Sequence, residues 1–144
     1  MGADLMGRVT VEAVVENLLD LARAEFGNIA PDDVRAVVIP DALVDTGATM
    51  LSLPTQVIEQ LGLRKSYERP ARSSRGTSVV SIYEAVRLTI QGREHIGNVA
   101  EVPDGVPALI GQIPLEQMDW VVDPVGQRLI GNPEHGGEQM LELY

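Results

Sequence analysis

The chain of 144 residues carries 21 acidic against 11 basic side chains, a formal net charge of −10, and no cysteine. These numbers exclude a disulfide framework and a thiolate zinc site, and they argue against sequence-independent binding to nucleic acid, which needs clustered Lys and Arg. With 44% hydrophobic and 22% charged residues the composition suits a single globular domain over residues 1–144 with a core of its own.

The opening "MGADLMGRVT" has no basic region followed by an apolar stretch, Met6 stands where a myristoylation signal wants Ser or Thr, and no apolar run of about 18 residues follows. The expectation is a soluble protein with no membrane partner. The lack of cysteine favours a reducing, cytoplasmic location. His95 and His135 lie far apart and show no metal-ligand spacing, so neither a metal nor another cofactor is expected.

The 14 Gly and 9 Pro are spread along the chain with β-branched clusters between them, which favours short strands over long helices and hence an all-β fold class. The first strand is "RVTVEAVVE", residues 8–16, where Val9, Val11, Ala13 and Val15 alternate, although Val11, Val14, Val15, Leu18, Leu19 and Ala22 also fit a helix. Residues 17–33 read either as a hairpin extension or as a short helix. A second strand is "VRAVVIPDALVDT", residues 34–46. "LPTQVIEQLGL" reads as a helix opened by Pro54 and stopped at Gly62. "TSVVSIYEAVRLTIQG", residues 77–92, sets Val80, Ile82, Val86, Leu88 and Ile90 on one parity, the period of a half-buried strand. His95 falls in the "QGREHIG" turn, "GNVAEV" at 97–102 is a further strand, and "PLEQMD" at 114–119 a helix of at most about two turns. Trp120 reads as a core or interface anchor. The tail, residues 132–144, reads either as a flexible end or as an interface strand using Met140, Leu141 and Leu143.

One segment raises a chemical question. "ALVDTGATMLSLP", residues 42–54, sets Asp45 in an apolar, β-branched run, and a carboxylate taken out of water is usually paired, protonated or used. The Asp-Thr-Gly triplet ends an apolar strand and precedes a helix, and "ALIGQIPLEQ" later repeats an apolar strand ending in glycine before a proline-started helix. Thr46 offers a hydroxyl that can lock nearby backbone, and Gly47 permits close approach of loop and substrate. Two carboxylates held close cannot both ionise comfortably, so a pair would share a proton and supply one acid and one base. The bland alternative is a strand-end aspartate hydrogen-bonded to backbone N–H groups.

On "ALVDTGATMLSLP", the hairpin "RSSRGTSVVSIYEAVRLTIQGREHIG" and "VPALIGQIPLEQMDWVVD", the chain resembles the retroviral-type (retropepsin-like) aspartic proteases, and specifically their small bacterial relatives, over residues 35–123. The resemblance implies an all-β, retropepsin-like half-barrel with one or two short helices, working as an obligate homodimer. It implies that Asp45 is catalytic, that the hairpin is a flap over a peptide substrate, and that Leu109, Ile110 and Gly111 pack beside the catalytic loop. The substrate-binding set then comprises Ala48, Thr49, Arg72, Ser73, Ser74, Arg75, Gly76, Val106, Pro107 and Leu109, with Thr46 and Gly47 in support.

Only one such triplet is present, so a dyad needs two chains related by a twofold axis. The implied reaction is water-mediated peptide hydrolysis with a neutral-to-acid optimum. Where retroviral members carry a supporting acid–arginine pair, this chain has Thr49 and Gln112, so either a neutral hydrogen bond substitutes or the dimer is weaker. Two other classes stand beside the protease. One is a silent peptide-binding or dimerisation module of the same fold. The other is an aspartyl-phosphate enzyme, which the missing lysine, phosphate loop and Mg²⁺-binding cluster disfavour.

Overall fold

Val11, Ala13 and Val15 are all buried while Thr10, Glu12, Val14 and Glu16 are not, which settles the first ambiguous segment as a strand, β1 (Thr10–Asn17). In the computed structural model, residues 8–143 are described, so the readings of the opening residues and of Tyr144 lie outside them. Asn17 then changes the backbone's course. Its side-chain oxygen accepts from Asp20 N at 3.0 Å, capping α1 (Leu18–Glu25), and its amide donates to Leu61 O at 2.8 Å. Residues 17–33 therefore hold a helix, followed by a 3₁₀ turn at Pro31–Asp33.

The chain continues through β2 (Ala36–Val44), β3 (Ser52–Pro54), α2 (Thr55–Leu61), β4 (Lys65–Ser73), β5 (Gly76–Ile90), β6 (Arg93–Val102), β7 (Leu109–Ile110) and α3 (Gln112–Met118). β8 (Trp120–Asp123), β9 (Arg128–Gly131) and a 3₁₀ turn at Pro133–His135 complete it. Three short helices stand where one or two were expected. Pairing runs β1-β2-β7-β3-β6-β5, and β1 also pairs with β5 from Val14↔Thr89 to Asn17↔Val86, so six strands close into a ring within one chain. Closure of this kind leaves no open edge on those six strands.

Local irregularities fall where the sequence demands them. Pro40, which cannot donate to a ladder, lies where the β1–β2 register shifts. The β5–β6 turn is made by Gln91 and Gly92, both at positive φ (49° and 84°), the pattern of a tight two-residue hairpin. His95 thus lies in β6, half-buried and opposite Leu88, and burial pushes its imidazole pKa down.

The expected parity of β5 holds over most of its length: Val86, Leu88 and Ile90 are buried in one core cluster with Leu53, Leu61, Ile110 and Met118, Ile82 is buried outside that cluster, and Val80 is half-buried. Each such side chain contributes on the order of 1.5–3 kcal/mol on burial. Among the described residues β4 pairs only with β5, and its residues are nearly all exposed, so β4 and the first part of β5 form a ribbon standing off the barrel.

The C-terminal segment is fastened by a buried polar knot. Asp119 accepts from His135 Nδ1 at 2.6 Å, Asn132 Nδ2 at 3.2 Å and Met140 N at 3.0 Å, while His135 Nε2 faces Glu142 at 3.6 Å. Arg93 adds bonds to the carbonyls of Met118, Asp119 and Gly137 and stacks on the half-buried Trp120 ring, 3.9 Å from its centre. The hydrogen bond between them raises the His135 pKa and lowers that of Asp119.

The Asp119 contribution is present above the ordinary carboxylate value of about 3.9 and is lost as pH falls through its lowered value. The His135 contribution is full below about 6.5 and is lost as pH rises through its raised value. Hydrogen-exchange protection of the Met140 amide should therefore be highest at mildly acidic pH and decline on either side. His135→Gln should flatten the alkaline limb, and an unchanged profile in that variant would refute the assignment.

Candidate active site

Two parallel strands and one helix build the loop around Asp45. β2 runs beside β7 with Leu43 opposite Leu109 and Val44 opposite Ile110, and Asp45 N continues this pairing by donating to Ile110 O at 3.0 Å. Beyond it the chain turns: Ala48 N donates to Asp45 O at 3.0 Å, and Gly47 N donates to Asp45 Oδ1 at 3.0 Å. That last bond is the local turn anticipated for a strand-end aspartate, and it fixes the carboxylate's orientation. A side chain at position 47 would crowd the acid, since a Cβ there would lie 3.3 Å from Asp45 Oδ1.

The loop is held from below by backbone donors. The first N–H groups of a helix have no partners inside it. In α3 these are given to the Asp45 loop: Gln112 N donates to Ala48 O at 2.8 Å and Ile113 N to Thr49 O at 2.9 Å. Pro114, the third helical residue, has no N–H to satisfy. The helix thus starts two residues before the proline at which sequence placed it.

Gly111 makes this contact possible, because a Cβ there would sit 2.6 Å from Met50 N and O and 2.7 Å from Thr49 C. Among the described residues no hydrogen bond joins Thr49 to Gln112: Thr49 O accepts from Ile113 N, and Gln112 N donates to Ala48 O. The Gln112 side chain turns to Glu116 Oε1 at 2.7 Å instead.

Asp45 itself is half-buried in the single chain, and Thr46, Gly47 and Thr49 are exposed beside the half-buried Ala48. The Thr46 hydroxyl locks no backbone of its own chain: among the described residues it makes no hydrogen bond. Asp45 Oδ2 is likewise without a hydrogen-bond partner among the described residues. Leu109 and Val106 are half-buried and Pro107 exposed, and the strand leading from them joins the site through Leu43 N donating to Ala108 O at 2.8 Å.

Residues 45–49 and 106–113 are therefore brought together. Arg72, Ser73, Ser74, Arg75 and Gly76 are not: they form the tip of the β4–β5 ribbon, with Ser73 opposite Gly76. Among the described residues no hydrogen bond or ion pair joins that tip to the Asp45 loop.

Two further features had no sequence signal. Ile113 supplies a donor through its backbone alone. Glu101 accepts from Thr55 Oγ1 at 2.7 Å and from Tyr83 OH at 3.2 Å, joining α2 to the base of the ribbon, while Asp104 accepts from Gln56 N at 2.9 Å. Desolvation, with Glu101 beside it, raises the Tyr83 pKa. Among the described residues no group of three or more His, Asp or Glu is placed to hold a metal ion, and no helix is long and apolar enough to cross a membrane.

A closed β-barrel thus carries an Asp-Thr-Gly loop at the end of its parallel strand pair. The chain matches the aspartyl protease family over residues 41–113, half of its length, and it belongs to that family. The matched span begins just before the Asp45 loop and ends at the α3 residues that hold it. No curated protein matches the chain.

Proposed function

We propose that this protein is a homodimeric aspartic endopeptidase in which Asp45 and Asp45 of the partner subunit face each other across a twofold axis. The observation that carries this reading is the single Asp45 loop itself. Its carboxylate is oriented through one oxygen by Gly47, its other oxygen is unused, and its outer face is open although it sits in the apolar surroundings of β2 and β7. A second copy of the same loop would cover that face and supply the second carboxylate, making twofold symmetry and catalytic site one object. The exposed Thr46 hydroxyl would then have partner backbone within reach.

In the assembled pair one proton is shared, because two adjacent carboxylates resist double ionisation. The ionised member accepts a proton from a bound water as that water attacks the amide carbon. The protonated member donates to the carbonyl oxygen, and collapse of the tetrahedral species passes a proton to the leaving nitrogen. Residues 72–76 on the ribbon would cover the substrate as a flap, with Ala48, Thr49, Val106, Pro107 and Leu109 lining its seat. No metal or organic group is needed for these steps.

The absence of a charged Thr49–Gln112 pair favours a second reading, a peptide-binding dimer without turnover. Mixing experiments separate the two. When wild-type chain is equilibrated with an equal amount of Asp45→Asn chain, random exchange leaves about one quarter of dimers with two aspartates. Peptidase activity per total protein should fall to about that fraction. A fall to one half means each chain works alone and overturns the dyad, and a dimer that binds peptide without ever cutting it supports the second reading.

A further inference from the structure

The ribbon tip is electrostatically unlike the rest of the molecule. From Arg69 to Tyr83 there are three arginines, Arg69, Arg72 and Arg75, and no acid, which leaves eight basic against 21 acidic residues elsewhere. The acids that border this stretch are already engaged. Glu68 pairs with Lys65, and Glu84 accepts from Arg64 N at 2.8 Å, Nε at 3.1 Å and Nη2 at 2.8 Å.

Cations elsewhere are mostly neutralised in place: Arg35 by Asp20, Arg87 by Glu16 and Arg128 by Asp123. The three tip arginines have no ion pair among the described residues, and only Arg69 has a ring neighbour, Tyr67, 5.5 Å from its guanidinium. Arg72, Ser73, Ser74, Arg75 and Gly76 are exposed, and no partner within the described residues requires this charge.

We propose that Arg69, Arg72 and Arg75 make the ribbon a selector for peptides bearing aspartate or glutamate. This rests on the reading of the ribbon as a cover over the substrate. The backbone supports an extended peptide as the occupant. Among the described residues β4 is paired on one side only, so its outer edge offers backbone C=O groups, and N–H groups other than at Pro70, to a second extended chain. Along β4, Arg69 and Arg72 fall on opposite faces, because side chains alternate, and Arg75 occupies the turn. Carboxylates three residues apart on a paired peptide would meet a guanidinium on either face.

A nucleic acid would meet the same three cations but would also face the predominantly acidic surface of the rest of the chain, which repels a phosphate backbone. A peptide presents its negative charge locally, at the tip.

The test uses the full-length protein and matched fluorescent peptides that differ only in Glu, Gln or Lys at the positions flanking an apolar centre, with binding read by anisotropy and cleavage by product release. The Glu peptide should be preferred over the Gln peptide by about five- to tenfold at low salt, declining to within about twofold near 0.5 M, as expected for exposed ion pairs. The double variant Arg72→Glu, Arg75→Glu should reverse the order and favour the Lys peptide, and the triple variant Arg69→Gln, Arg72→Gln, Arg75→Gln should remove the preference. Equal affinity for Glu and Gln peptides, or a single-stranded oligonucleotide that binds more tightly than the Glu peptide, overturns the proposal. If the Glu preference is seen in binding while neither peptide is cut, the peptidase reading fails and the selector stands.

Discussion

Asp45→Asn is expected to lower peptide cleavage by about 10³-fold or more while leaving the fold and the proposed dimer intact. The amide keeps the shape of the side chain and retains an oxygen for the Gly47 N–H, now 3.0 Å away, so the local turn survives. Stability should change by no more than about 0.5 kcal/mol, as for most substitutions outside the core. What is lost, on the proposed mechanism, is the proton acceptor that turns water into a nucleophile, and acid–base groups of this kind contribute roughly 10²–10⁴-fold.

Because the proposed pair serves both as acid and as base, its loss falls at the upper end of that range. The wild-type rate should also decline at alkaline pH, where the shared proton is gone. Steady-state cleavage together with size-exclusion chromatography and circular dichroism of the variant measures both halves of this statement. A variant that keeps a tenth of wild-type activity removes Asp45 from the chemistry.

The second large effect is expected at Gly111→Ala. This glycine has φ −87° and ψ −176°, a conformation open to any residue, so the substitution costs little in backbone freedom. Its consequence is steric. The new methyl would overlap Met50 N and O at 2.6 Å and Thr49 C at 2.7 Å, and backbone atoms cannot rotate away as a side chain would. Either the helix start or the Asp45 loop must shift, which stretches the bonds from Gln112 N and Ile113 N.

Overpacking of this kind destabilises by about 1–3 kcal/mol. A displacement of about an ångström at the reacting group lowers activity by roughly 10²-fold. Thermal denaturation and kcat/KM measured on the same preparation test the claim, with the expectation that activity suffers more than stability. An active, fully stable Gly111→Ala protein would show that the loop is not positioned by this contact.

How far sequence reached the fold depended on whether a residue's burial differed from that of its neighbours. Where β5 has one face in the core, alternation at Ile82, Val86, Leu88 and Ile90 announced a strand, and the left-handed Gly62 (φ 65°) ended α2 where expected. β4 passed unread as a full strand because "KSYERPARS" is solvent-facing nearly throughout, and a strand wet on both faces has no alternation to read. β8 and β9, four residues each, are too short for any period to register. α1 depended on a cap made by Asn17, a residue equally at home in a turn.

The candidate site divides along the same line. Asp45, Thr46 and Gly47 carry a side-chain pattern and were found by it. The support from Gln112 and Ile113 is made by backbone N–H groups, which every residue but proline possesses, and so left no mark on composition or spacing. Asp45 is half-buried in the single chain, as are Leu43 and Val44 before it, because β2 ends there and the loop that follows is largely exposed.

Ring closure between β1 and β5 has a consequence for synthesis. A nascent chain leaving the ribosome cannot join Val14 to Thr89 until the second of these has emerged, and the loop at Asp45 lacks its floor until residues 109–113 follow. Contacts so distant in sequence form slowly, after the loop-closure entropy has been met. The Asp45 loop therefore gains its support only after residue 113 has been made, and a nascent chain shorter than that holds no assembled loop.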